Sequence, residues 1–198
     1  MTQHFCLSAT ACVGLALSAS SFSPFPSPAV SVGASQGDVT GEHQFVTHTI
    51  ATELAAGYQP VLVDLNRDKR PDVIGLSTRL DELAWYENPG WQKHVLTTGL
   101  SRAINLAAHD IDEDGIPELA VAHEFGTSHE NSLGILSLLT HQGDPTRPWH
   151  MREIDRTPTV HRLRWADIDG TGRKVLINAP LVGAAASAPE YRDAVPLF

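Results

Sequence analysis

The sequence predicts an all-β protein made of repeated four-stranded antiparallel units, and three observations carry that prediction. An acidic loop recurs three times along the chain. A short apolar segment recurs in step with it. Between these markers, apolar runs of strand length alternate with turn residues, and no stretch of comparable length shows sustained helical periodicity. The 198 residues are 42% hydrophobic and carry a formal net charge of −9. That is enough apolar material for a packed core, while the acidic balance argues against capture of nucleic acid or an anionic membrane, both of which need clustered Lys and Arg.

The three acidic segments align residue for residue. They are Asp64-Leu-Asn66-Arg-Asp68-Lys-Arg-Pro71-Asp72, Asp110-Ile-Asp112-Glu-Asp114-Gly-Ile-Pro117-Glu118 and Asp167-Ile-Asp169-Gly-Thr171-Gly-Arg-Lys174-Val175. The apolar companions His48–Ile50, His94–Leu96 and Arg152–Ile154 precede them at nearly constant distance. In the first unit the strands are expected at Pro60–Val63, Asp72–Leu76, Leu83–Glu87 and Trp91–Leu96, with Asn88-Pro89-Gly90 as the turn between the last two. The second unit repeats the arrangement at Ile104–His109, Pro117–Ala122, Ser132–Leu139 and Trp149–Ile154. A third unit supplies its first two strands, a terminal strand is expected near Phe45–Ile50, and Ala51–Ala56 reads as a helical turn. Four short antiparallel strands per unit of about 45 residues make the blade of a β-propeller, so about two and a half blades of a partial β-propeller are expected.

The segment before the repeats differs in kind. Residues 1–36 contain no Asp, Glu, Lys or Arg. The apolar stretch Phe5–Ala19 is short for a bilayer span, and a Ser/Pro-rich run, Ser20–Ser35, follows it. This reads as a signal peptide and linker over 1–36, ahead of a propeller domain at 42–198, although Met1–His4 lacks the basic residue of a usual signal. A secreted or periplasmic protein is expected. Both cysteines, Cys6 and Cys12, lie in the leader, so the mature form would have no disulfide, no thiol nucleophile and no Cys-ligated zinc.

The Asp-x-Asp/Asn-x-Asp-x-x-Pro-Asp/Glu loop between two apolar strands resembles the FG-GAP/VCBS repeat of integrin-type β-propellers. The resemblance covers about residues 42–183. The strings Leu83-Ala-Trp-Tyr-Glu-Asn-Pro-Gly-Trp91 and His161-Arg-Leu-Arg-Trp-Ala-Asp167 are in addition similar to the propeller part of aldos-2-ulose dehydratase-like proteins. The first resemblance implies structural cation loops. The second implies sugar-derived substrates and elimination of water.

Alternate oxygen donors in a tight loop suit calcium, a hard cation that takes six to eight oxygens. Asp64, Asn66, Asp68 and Asp72 supply them in the first loop, and Asp110, Asp112, Asp114 and Glu118 in the second, with the Arg70 and Ile116 carbonyls between. Flanking strands, and Gly75 and Val121 where an EF-hand needs Glu, exclude the EF-hand. The third loop has Thr171 and Val175 in place of two carboxylates, so weak or no calcium binding is expected there. The competing account of all three is an Asp-rich turn closed by its own side-chain hydrogen bonds.

Strand order places the acidic loops at one end and the other loops at the opposite end. That opposite face gathers His123, Glu124, His129 and Glu130 from one loop region and Arg102, Asn105, His161 and Arg162 from the crossovers. His123, His129 and His161 are candidate acids, bases or ligands of a second divalent metal, and Arg102 and Arg162 are candidate substrate clamps. Solvated loop histidines are the plainer account, because no spacing there matches a defined motif. His94 and His141 read as surface residues, and Trp85, Trp91, Trp149 and Trp165 as blade packing. No nucleophile elbow, phosphate loop or dinucleotide fingerprint is present. Two functions follow as expectations: an exported calcium-stabilised binding or scaffold module for a carbohydrate or another protein, or the propeller portion of a carbohydrate lyase. The chain is expected to be a truncated form of a longer protein whose further blades complete the ring, because the tail Ala188–Pro196 resembles a loop inside longer relatives rather than a domain end; ring completion by oligomerisation and a naturally short remnant are the alternatives.

Overall fold

The structure, a computed structural model, describes residues 45–198. The expected signal peptide lies outside these residues. The first sheet has the order β1-β2-β3-β4, from β1 (Gly57–Val63), β2 (Asp72–Ser77), β3 (Glu82–Glu87) and β4 (Gln92–Thr98). The second has the order β5-β6-β7-β8, from β5 (Asn105–His109), β6 (Glu118–His123), β7 (Ile135–Thr140) and β8 (His150–Arg156). A hairpin of β9 (Val160–Ala166) and β10 (Val175–Pro180) completes the set, and every pairing is antiparallel. The described residues therefore form two blades and the first half of a third, and contain no α-helix.

Burial explains how the sheets stack. Both faces of a middle strand in a propeller are covered by neighbouring blades, so β2 and β6 read as continuous apolar runs with almost every residue buried. One core, containing Leu65, Ile74, Leu76, Trp85, Leu106, Ile116, Leu119 and Trp149, binds blade one to blade two. A second, containing Ile104, Ala120, Ala122, Leu136, Val160 and Leu163, binds blade two to the hairpin. The indole N–H groups of Trp85 and Trp149 both donate to the Pro145 carbonyl, at 3.3 and 3.1 Å, which satisfies two buried donors with one acceptor.

Side-chain amides fix the register between blades. Gln59 Oε1 accepts the Leu106 amide N–H at 2.9 Å and Asn105 Nδ2–H at 2.8 Å. One blade later, Asn105 Oδ1 accepts the Leu163 amide N–H at 2.8 Å. Gln59, Asn105 and Arg162 occupy equivalent places in the repeat. Arg162 has no acceptor, and the residue after Gln59 is Pro60, which has no N–H to offer a preceding blade. Among the described residues the ladder thus runs from Gln59 to the Leu163 amide. Proline is tolerated within β1 because that strand is an edge, hydrogen-bonded to β2 alone.

Three expected elements differ from the structure. Phe45–Ile50 is irregular rather than a strand, and among the described residues no strand pairs with it to satisfy its backbone groups. Ala51–Ala56 forms bends and a turn, with Leu54 folded onto Gly57 and Gly75. The expected strand from Ser132 begins only at Ile135. Gly134, at φ +60°, lies against the Thr157 carbonyl so closely that no Cβ would fit, and it breaks the strand. Past β10, Phe198 pairs with Asn178 through two backbone hydrogen bonds of 3.0 and 3.2 Å. No described helix is long and apolar enough to cross a membrane.

Candidate functional site

The acidic loops join β1 to β2, β5 to β6 and β9 to β10, and they share one backbone path. Positive φ recurs at the fourth and sixth loop positions: Arg67 (65°) and Lys69 (69°), Glu113 (62°) and Gly115 (92°), Gly170 (73°) and Gly172 (88°). Three of these are neither Gly nor Asn, and the left-handed region costs such residues roughly 1 kcal/mol, so the loop's own hydrogen bonds must hold them there. Asp64 accepts the Asp68 and Lys69 amides at 3.2 and 2.8 Å, and Asp110 accepts the Asp114 and Gly115 amides at 3.1 and 2.9 Å. Asp68 and Asp114 cap the Arg70 and Ile116 amides, each at 2.8 Å.

The ninth position anchors the loop from below. Asp72 is fully buried, and its two oxygens accept the Leu65 and Asn88 amides, both at 2.9 Å. Burial raises its pKa; the two N–H donors oppose the shift, and the negative charges of Asp68 and Asp64 add to it. Glu118, also buried, accepts the Ile111 amide at 2.8 Å.

The second loop presents the best oxygen set. Ligand oxygens of Asp110, Asp112 and Glu118 lie within 4.8 Å of one another, the only such group of three or more His, Cys, Asp or Glu among the described residues. Oxygens bound at about 2.3–2.6 Å to one calcium ion can be separated by no more than about 5 Å, so the three fit a single ion. Asp114 stands aside, turned to the Ile116 amide and to His141. In the first loop Asn66 takes the place of Asp112. Its Nδ2–H donates to Glu87 at 3.0 Å, which turns Oδ1 inward onto the Asp68 amide at 3.1 Å. In the third loop Asp167 accepts the Gly170 and Gly172 amides, each at 2.8 Å, while Asp169 accepts the Thr171 amide and hydroxyl at 3.1 and 2.7 Å. Val175 supplies no anchor.

Two side chains that the repeat pattern does not mark reach the second loop. Arg67 Nη1 donates to the Asp114 carbonyl at 3.1 Å, tying the first loop to the second. His141 accepts the Gly143 amide on Nδ1 at 3.0 Å, which leaves the proton on Nε2 for the Ile116 carbonyl at 3.2 Å. Its side chain is only 4% exposed, so His141 is a buried strut and not the surface residue expected. His94 is likewise held, stacked on Trp85 at 4.6 Å and bonded to Glu87 at 2.8 Å.

At the opposite end the candidate histidines have separate partners. His123 is buried in β6, with Nε2 on Ser137 at 2.9 Å and Nδ1 unpartnered; burial lowers its pKa, while Glu124 and Glu153 oppose the shift. His129 sits in a 3₁₀ turn, His129–Asn131. His161 lies beside Phe125 at 5.4 Å and is 3.4 Å from the Tyr58 hydroxyl; burial, then the Arg162 charge, lowers its pKa. The three histidines do not form a metal set. Arg102 is engaged by Glu124 and by the Asn131 carbonyl, so it braces the crossover to the β6–β7 loop. Arg162 donates to the Tyr58 hydroxyl at 3.2 Å, with its guanidinium 5.6 Å from the ring centre. Tyr58, His161 and Arg162 thus meet across the inner strands. No sequence motif singles out Tyr58; only strand order brings it there.

Comparison with known proteins supports the repeat. The family described as an FG-GAP-like repeat matches residues 64–121, from the first acidic loop through blade one to β6. No curated protein matches the chain.

Proposed function

We propose that this chain is an exported β-propeller repeat module, stabilised by calcium, that serves as a binding or scaffold unit. The observation that carries the cation is the convergence of Asp110, Asp112 and Glu118 within 4.8 Å. An all-oxygen donor set favours a hard ion such as calcium over zinc or copper. The first loop is the second candidate site, with an amide in place of one carboxylate, and the third loop has too few donors. Calcium here fixes the turn between the first two strands of a blade, so its effect is on stability. The uncharged leader at 1–36 supports export into a compartment where calcium is plentiful. The test is thermal unfolding in EGTA and after calcium is restored: a fall in Tm that calcium reverses supports the proposal, and an unchanged Tm sinks it.

The lyase reading draws on one arrangement, the meeting of Tyr58, His161 and Arg162. In that reading Arg162 and Tyr58 hold a substrate oxygen, and His161, kept neutral by burial and by Arg162, takes a proton. Water loss from an aldosulose, compared between the parent and His161→Ala, tests it; equal rates remove His161 from any mechanism.

A further inference from the structure

We propose that the cleft between the second and third acidic loops binds a neutral saccharide. The cleft has a volume of about 480 Å³ and runs from the end of β5 to the start of β10. Its lining includes Trp165, His109, Asp110, Glu113, Arg173 and Lys174. The indole of Trp165 is fixed: its N–H donates to the Ala107 carbonyl at 3.3 Å, and the His109 ring lies 5.2 Å away. A rigid, half-buried indole offers a flat apolar wall at little entropic cost.

Around that wall stand two cations, Arg173 and Lys174, and two carboxylates, Glu113 and Asp110, of which Asp110 is already turned to the Asp114 and Gly115 amides. Among the described residues Glu113, Arg173 and Lys174 form no ion pair, although all three border the same space. An apolar ligand would desolvate them without return. A simple anion would gain from Arg173 and Lys174 and lose to Asp110 and Glu113, and a cation would do the reverse. A neutral polyhydroxylated ring gains from groups of both signs: its hydroxyls donate to the Glu113 carboxylate and accept from the Arg173 guanidinium and Lys174 ammonium, while its C–H face lies on the indole. The cleft volume falls within the usual range for small-ligand sites, about 300–1,000 Å³.

The third loop's departure from the repeat makes the site. Where the first two loops end in a buried carboxylate, the third has Val175, preceded by exposed Arg173 and Lys174. The saccharide site goes beyond the cation reading and survives its failure, because Trp165, Glu113, Arg173 and Lys174 are not cation ligands.

The test is an NMR titration of the ¹⁵N-labelled protein with cellobiose, maltose and lactose, and with methyl galacturonide as an anionic comparison. A saturable shift of the Trp165 indole resonance with a neutral disaccharide is expected. Arg173→Ala and Glu113→Gln, both at exposed loop positions that leave the core intact, are each expected to weaken binding by about tenfold or more. The proposal is overturned if none of the disaccharides moves that resonance, if both variants bind unchanged, or if the galacturonide binds more tightly than all three.

Discussion

In the second acidic loop Asp110 accepts the amides of Asp114 and Gly115, and in the third Asp167 accepts those of Gly170 and Gly172. The backbone path is the same, with left-handed residues at matching positions. Both loops keep an aspartate at the third position, Asp112 and Asp169, each accepting the amide two residues on. Only the second adds a buried carboxylate, Glu118, whose oxygen comes within 4.8 Å of those of Asp110 and Asp112. The third loop, with Thr171 where the second has Asp114 and Val175 where it has Glu118, keeps the turn. The turn therefore stands without carboxylates at the fifth and ninth positions, and what Glu118 adds to the second loop is a third carboxylate oxygen beside Asp110 and Asp112. In the proposed calcium-bound form the cation relieves repulsion among these carboxylates, so composition, and not shape, would separate a cation loop from an ordinary Asp-rich turn.

Five substitutions would break or sharpen that contrast. The largest effect is expected at the ninth position. Asp72→Ala strips the buried Leu65 amide and the half-buried Asn88 amide of their acceptor and should cost about 2–4 kcal/mol in urea unfolding, on the usual penalty for unpaired buried groups. Val175→Asp in the third loop should bring no comparable gain. Next comes the ladder between blades: Asn105→Ala removes the acceptor of the Leu163 amide and should cost about 1–3 kcal/mol by the same measurement.

Acid should act through His123. Burial holds its folded pKa below the unfolded value, so the unfolded chain takes up a proton first, and stability falls as pH drops through the ordinary histidine range near 6.5. A His123→Gln variant should show a flatter Tm between about pH 5 and 7. The smallest effect is expected from Asp169→Asn. An amide oxygen can still accept from Thr171, so stability should change by less than about 0.5 kcal/mol, and the response to calcium should not change at all.

The repeat itself was legible in the residues because two independent markers kept step, and burial on both faces of β2 and β6 left the continuous apolar runs that blades require. The third loop's poverty in ligands was also legible, since it is a matter of residue identity. What sequence spacing could not reveal was contact between blades. Gln59 and Asn105 act on the next blade, and Tyr58 meets His161 and Arg162 only because β1 and β9 both lie on the inner side. His123 and His141 misled for a related reason. A histidine at a strand end reads as solvated, yet a neighbouring strand supplied Ser137 to one, and the loop end supplied the Ile116 carbonyl to the other.

Calorimetric titration with calcium of the parent, Asp112→Asn and Asp169→Asn tests the central claim most directly. The account predicts saturable binding by the parent, a loss of at least about tenfold in affinity for Asp112→Asn, and no change for Asp169→Asn. Equal calcium affinity in all three, or no binding by the parent, would contradict it.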